Sequence, residues 1–292
     1  MTIKFLVISI LSVSLVCISC SNNNEESKNK IHEETEDSIT VNAEPVDANE
    51  MSYNLPSALQ IAYVFKKSGA GFDPVLPNNN ASVNKYNISN YKRAVNFGVY
   101  SADLAYCLFN KKYSESKEYL KACKDLGSSL GLNQAFESDN AAQRFDKNIT
   151  NEDSVVKIVS NVQMKTDIMF EENKQKHIAI IAFTGAWTES AYIACEVYAK
   201  EKNKKVLSSL LEQLLLSESI IKALKNCETS EPEIKSLLLA VEQINNEFNA
   251  ISSVKTAVEK GEEPDFTTMI VTNEEIAKVS QLIKTLRTGM VD

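Results

Sequence analysis

The chain has 292 residues, a formal charge of −8 at neutral pH and 43% hydrophobic residues, with only eight glycines, six prolines and two histidines. Its length and apolar content allow a sizeable core. Most of the negative charge lies in residues 21–54, and the near-neutral remainder, without a basic cluster, argues against nucleic acid as a partner.

Residues 1–19 read as a cleaved secretory signal: Lys4 precedes an apolar run from Phe5 to Val16 interrupted only by serines. The run is shorter than the roughly 20 residues a permanent span needs, and polarity begins abruptly at Ser21. A cysteine closing such a run, Cys20, resembles the lipobox of bacterial lipoproteins, in which that cysteine becomes the first mature residue and carries the acyl chains. The family prefers Leu three residues before it and Gly or Ala immediately before it, where this chain has Cys17 and Ser19. The acidic run after Cys20, Ser-Asn-Asn-Asn-Glu-Glu-Ser, is similar to that of many surface-exposed lipoproteins of Bacteroidetes-type bacteria. The resemblance implies attachment to the bacterial outer membrane through lipid on Cys20, with the protein periplasmic or surface-exposed.

Residues 20–54 are expected to be a disordered acidic tether. Glu25, Glu26, Glu33, Glu34, Glu36, Asp37, Glu44, Asp47 and Glu50 face only Lys28 and Lys30, a net −7; with Lys4 of the signal set aside, residues 55–292 carry about −2. A segment this polar buries too little surface to offset the cost of ordering. As a coil it reaches roughly 30 Å.

Residues 55–292 are predicted to form one all-α domain, an antiparallel multi-helix bundle or α-hairpin array of about 8–9 helices. Pro56 starts the first helix and Gly69 ends it. Residues 69–88 form the one long loop, rich in asparagine. Helices follow over about 89–110, about 114–130 with Ser114 as cap and Gly131 as stop, about 135–148, and about 150–173 opened by Thr150 with Asp153 as box partner. The next cover about 175–201 and about 203–226, the latter with a leucine stripe. Ser230-Glu-Pro-Glu233 and Thr272-Asn-Glu-Glu275 read as capping boxes opening helices over about 230–255 and 272–288. Thr267–Val271 looks strand-like but has no convincing partner.

The helices at about 89–110 and 175–201 look like the inner pair. The second is apolar on nearly every face of its first half, and Gly98, Ala102, Ala105, Ala182, Gly185 and Ala186 let backbones approach closely. Each also carries an acid among apolar neighbours, Asp103 and Glu189, and a buried carboxylate needs a partner or a raised pKa. Arg93 or a lysine is the expected partner if the acids are structural. With Tyr100, Trp187 and Tyr192 the acids form a candidate ligand pocket inside the bundle.

No catalytic constellation, metal-ligand spacing or cofactor loop is recognisable, so catalytic residues, metal and cofactors are all read as none. His177 at a helix start is expected to pack or cap. Cys107, Cys123, Cys195 and Cys227 are expected to be small buried thiols, with disulfides open. The stretches Asn96-Phe-Gly-Val-Tyr-Ser-Ala-Asp-Leu-Ala-Tyr106 and Ala182-Phe-Thr-Gly-Ala-Trp-Thr-Glu-Ser-Ala-Tyr-Ile-Ala194 look like signatures of a group of uncharacterised helical lipoproteins of Bacteroidetes. That resemblance implies an address and a fold, and carries no activity. The functional expectation is a lipid-anchored, non-enzymatic envelope protein that binds a protein partner or a small ligand. The alternative is a carboxylate-based hydrolase of envelope glycans, which needs two acids some 5–10 Å apart on an open cleft.

Overall fold

The fold is built outward from one helix crossing. In the computed structural model, which describes residues 59, 66–227 and 231–292, helix α1 (Asn90–Phe109) lies against helix α6 (Lys176–Glu201) in the most extensive helix–helix contact among the described residues. A Cβ on Gly98 would stand 1.8 Å from the carbonyl oxygen of Ala182, and one on Gly185 would stand 2.1 Å from that of Val95. Both obstacles are backbone, so the two chains touch only because these residues lack side chains. The pair is buried nearly throughout, from Ala94 to Phe109 in α1 and from Ile178 to Val197 in α6.

The remaining helices wrap this pair. Helix α2 (Tyr113–Ser129) packs on α1, and the short α3 (Asn133–Glu137) and α4 (Ala141–Lys147) pack on α5 (Glu152–Glu172), which reaches α6. On the other side, α7 (Lys204–Leu214) and α8 (Leu216–Lys225) lie on α6, and α9 (Pro232–Asn249) lies on α8. Helix α10 (Ser252–Lys260) follows α9, and α11 (Asn273–Val291) closes the bundle against α6, α9 and α1. The protein is an all-α multi-helix bundle, with no strand among the described residues, which fall within one unit of contacts, Ser52–Asp292. The signal segment, Cys20, the acidic tether, Ser230 and most of the first predicted helix lie outside the described residues; of that helix Leu59 is buried, and Gly69 has the left-handed φ of a helix stop.

Three predicted helices are each broken in two. The one over 135–148 divides at Asn140, whose left-handed φ of 49° no helix continues. The leucine-rich one divides at Leu215, where the Ser217 hydroxyl sits 2.6 Å from the Leu214 carbonyl and 2.8 Å from the Asn245 side chain, drawing the ladder open. The one over 230–255 stops at Asn249, and buried Ile251 is extended before α10 begins. Caps shift as well. Helix α2 starts at Tyr113 without a side-chain cap, so Ser114 is not one. Asn151, not Thr150, caps α5, accepting from Ser154 N–H at 2.9 Å. Helix α9 opens on Pro232 with Glu231 as an uncapping N-cap residue. The Thr272–Glu275 box forms as expected, and Thr267–Val271 is turn and coil fastened by Asp265.

The long loop is less of a surface loop than its asparagines suggest. Residues 71–79 form a strap that dips into the core at Leu76 and Asn78, and a 3-10 helix, Asn80–Tyr86, buries Tyr86. A buried loop must find partners for its peptide groups. Tyrosine hydroxyls from the helices supply them. Tyr119 donates to Asn78 O at 2.8 Å and Tyr100 to Asn79 O at 2.8 Å, while Tyr106 accepts from Asp73 N–H at 2.8 Å and donates to Gly71 O at 3.2 Å.

Candidate functional site

The glycine crossing decides where the inner acids meet. Asp103 follows Gly98 by little more than a turn of α1, and Glu189 follows Gly185 by about one turn of α6, so the close approach of the backbones sets the two carboxyls side by side. Each is fully buried, with no exposed surface. Glu189 is gripped bidentately by Arg287 of α11, with Oε2 2.9 Å from Nε and Oε1 3.1 Å from Nη2. The guanidinium also lies over the Tyr192 ring, 4.7 Å from its centroid. Asp103 Oδ2 accepts the Asn78 N–H of the strap at 3.0 Å, and its Oδ1 is buried with no protein donor other than what the neighbouring Glu189 carboxyl can share.

Burial pushes the Asp103 carboxyl well above the usual carboxylate range, and the Glu189 charge beside it adds to the effect; Arg287 and the Asn78 N–H pull the other way. Burial also raises Glu189, opposed by the hydrogen bonds and charge of Arg287 and by the hydrogen bond from Asp103. Around the acids stand Tyr86, Tyr100 and Tyr119, with ring centroids 6.0 Å apart in each neighbouring pair. Desolvation raises all three phenols.

A second set of contacts fastens the end of α11 nearby. Lys92 Nζ donates to the carbonyls of Gly289 and Met290 at 3.0 and 3.2 Å, Asn96 Nδ2 donates to Met290 O at 3.0 Å, and the Tyr86 hydroxyl donates to Val291 O at 3.0 Å. The last carbonyls of a helix lack partners within it, and a cation there also opposes the negative end of the dipole.

Of the five pocket residues read from the sequence, the structure brings Asp103, Glu189 and Tyr192 together around Arg287. Tyr100 adjoins them but sends its hydroxyl to the strap. Trp187 sits about half a turn round α6 from Glu189, fully buried, and donates its indole N–H to Gln213 O of α7 at 2.8 Å. The indole of Trp187 is thus engaged on α7. Arg287 was missed, and Arg93, the expected partner, serves Asn90 Oδ1 and Asn87 O instead. A signal for Arg287 existed: it falls on the stripe Ile276, Val279, Ile283, Met290 that α11 buries, and a cation there needs an anion.

Glycan hydrolysis requires carboxyls flanking a bond from opposite sides with water between them. Here the carboxyls touch and neither is exposed, so the geometry lends that chemistry no support. No group of three metal-ligating side chains occurs among the described residues. Cys107, Cys123, Cys195 and Cys227 are free thiols; burial pushes Cys123 and Cys195 up to about 12, far from the reactive thiolate. His177 lies half-buried in the first turn of α6. Helix α6 is long and apolar enough to cross a membrane by length and composition, yet 78% of its apolar window is buried inside the bundle. No family model matches the chain, and no curated protein or solved structure matches it either.

Proposed function

We propose that the protein is a lipid-anchored envelope protein, held to the bacterial outer membrane through Cys20, whose helical domain is a non-enzymatic interaction module. The reading of the address rests on the apolar run Phe5–Val16, the cysteine that closes it and the acidic tether that follows. The reading of the domain rests on one observation: the inner acids, where chemistry would be sought, are enclosed and spend their hydrogen bonds on the strap and on α11. A protein partner met at the surface fits that arrangement better than a small ligand held between Asp103 and Glu189.

Two measurements test this. Metabolic labelling with an acyl-chain analogue should mark the protein and fail to mark Cys20→Ala; equal labelling of both would refute anchoring at Cys20. Native mass spectrometry of the protein gently extracted from its own envelope should show a reproducible protein-sized excess over the denatured mass. A retained small molecule, or turnover of an envelope glycan by the purified protein, would overturn the interaction reading while leaving the address intact.

A further inference from the structure

Two relays start at one residue of the strap and end on one helix. The backbone N–H of Asn78 bonds to Asp103, Asp103 meets Glu189, and Glu189 holds Arg287 of α11. The side chain of Asn78 donates from Nδ2 to the Tyr86 hydroxyl at 3.0 Å, and Tyr86 donates to Val291 O at the end of the same helix. Strap and C-terminal helix are thus joined through the core.

The first relay has a gap that heavy atoms leave open. Two carboxyls share an enclosed site with one guanidinium, whose Nε and Nη2 are both spent on Glu189. With both acids ionised, Asp103 Oδ1 would be a buried acceptor without a donor, and two anions would stand in contact where water cannot screen them. One proton on Asp103 removes both problems: Oδ1 becomes the donor, Glu189 the acceptor, and the cluster of two carboxyls, one proton and one guanidinium is neutral. The other groups facing the pair are Tyr100 and Cys107 of α1, Tyr119 and Cys123 of α2, Tyr86 of the 3-10 helix and Tyr192 of α6, with the strap offering only the Asn78 amide. Burial raises these phenols and both thiols, so they stay neutral, and Arg287 is the one cation facing the pair among the described residues. Glu196 and Lys284 pair with each other further along α6, 3.5 Å apart.

We propose that Asp103 and Glu189 hold a single proton between them, and that this proton latches the strap to the C-terminal helix so that the two open together when it is lost. Loss leaves like charges in contact, and the nearest relief is to admit water by lifting residues 71–86 and the end of α11. A second proton would instead strip Arg287 of its anion, so the latch is closed only while one proton is present. The proposal stands apart from the reading of membrane address and partner.

Hydrogen exchange of the full-length protein, corrected for the intrinsic pH dependence of amide exchange, tests it. From mildly acidic to mildly alkaline pH, peptides covering 71–86 and 276–291 should lose protection together, by up to about tenfold per pH unit, the limit for one linked proton. Asp103→Asn keeps the Asn78 contact and supplies a permanent donor to Glu189, and should abolish that slope in both segments. An unchanged slope in the variant, or segments that respond independently, would overturn the proposal. Should the variant fail to fold, infrared spectroscopy of the parent decides: a protonated-carboxyl stretch at neutral pH that vanishes with the loss of protection supports the latch, and its absence refutes it.

Discussion

The glycine crossing and the acid cluster lie about one turn apart on the same two helices, and they hold those helices together by opposite means. At Gly98 and Gly185 the contact is backbone on backbone, and its only requirement is that nothing intervene. At Asp103 and Glu189 the same helices enclose two polar side chains, and the requirement is that every donor and acceptor be answered. The first depends on shape and is blind to pH. The second tolerates changes of shape that preserve hydrogen bonding, and responds to protons. Side chains of similar burial can therefore fail for unrelated reasons.

Gly98→Ala and Gly185→Ala press that contrast hardest. The added methyl meets a carbonyl oxygen at 1.8 or 2.1 Å, an obstacle that no rotamer change removes. Each should cost more than about 5 kcal/mol, comparable with the whole stability of a domain, and leave little folded protein by circular dichroism. A cooperative melt near that of the parent would show that the crossing is not close-packed. Arg287→Met comes next. It leaves the Glu189 charge buried without a partner, and urea unfolding should show a loss of about 3–5 kcal/mol. Adding Glu189→Gln should restore much of that loss, whereas no second substitution at an acid should rescue Gly98→Ala.

The smallest effect lies at the N-terminus of α11, away from both regions. Glu275 Oε2 accepts from the N–H and hydroxyl of Thr272, both at 2.8 Å, and Oε1 from the N–H and hydroxyl of Ser252 at 2.8 and 2.7 Å, so one carboxylate serves two helix starts. Glu275→Ala should cost about 1 kcal/mol. These bonds hold the Glu275 carboxyl down to about 2, below the roughly 4.3 of an unfolded glutamate. Its contribution is complete above that range and is lost as pH falls toward 2. Asp103 runs the other way: its carboxyl is raised in the fold, so its contribution is present at low pH and lost as pH rises through the folded value. Stability measured against pH should separate the two, since Glu275→Ala flattens the acid limb and Asp103→Asn the neutral-to-alkaline limb. A common effect on one limb would break the distinction.

What the sequence made legible follows from how local each signal is. Helices α1 and α6 were readable because their small residues and unbroken apolar faces are properties of a few turns, and the Thr272–Glu275 box because both halves lie three residues apart. The breaks at Leu215 and Asn140 were not, since one depends on a contact with Asn245 from another helix and the other on a single residue's left-handed backbone. The pairing of the acids was half-visible. Their isolation among apolar residues marked them, but the partner lies 98 residues beyond Glu189, and only its place on the buried stripe of α11 hinted at it. The asparagines of residues 78–80 mark a loop and say nothing of how deeply it lies. Its burial depends on tyrosines of α1 and α2 that reach it from elsewhere.

The fastening of the strap to α11 also sets an order of events. Tyr86 and Val291 are separated by 205 residues, and Asn96 and Met290 by 194. Tyr86, Asn96 and Lys92 gain these carbonyl partners only once residues 289–291 have emerged. This corner of the bundle therefore stays unfastened while the residues between are being made, and closes only once residues 289–291 are in place.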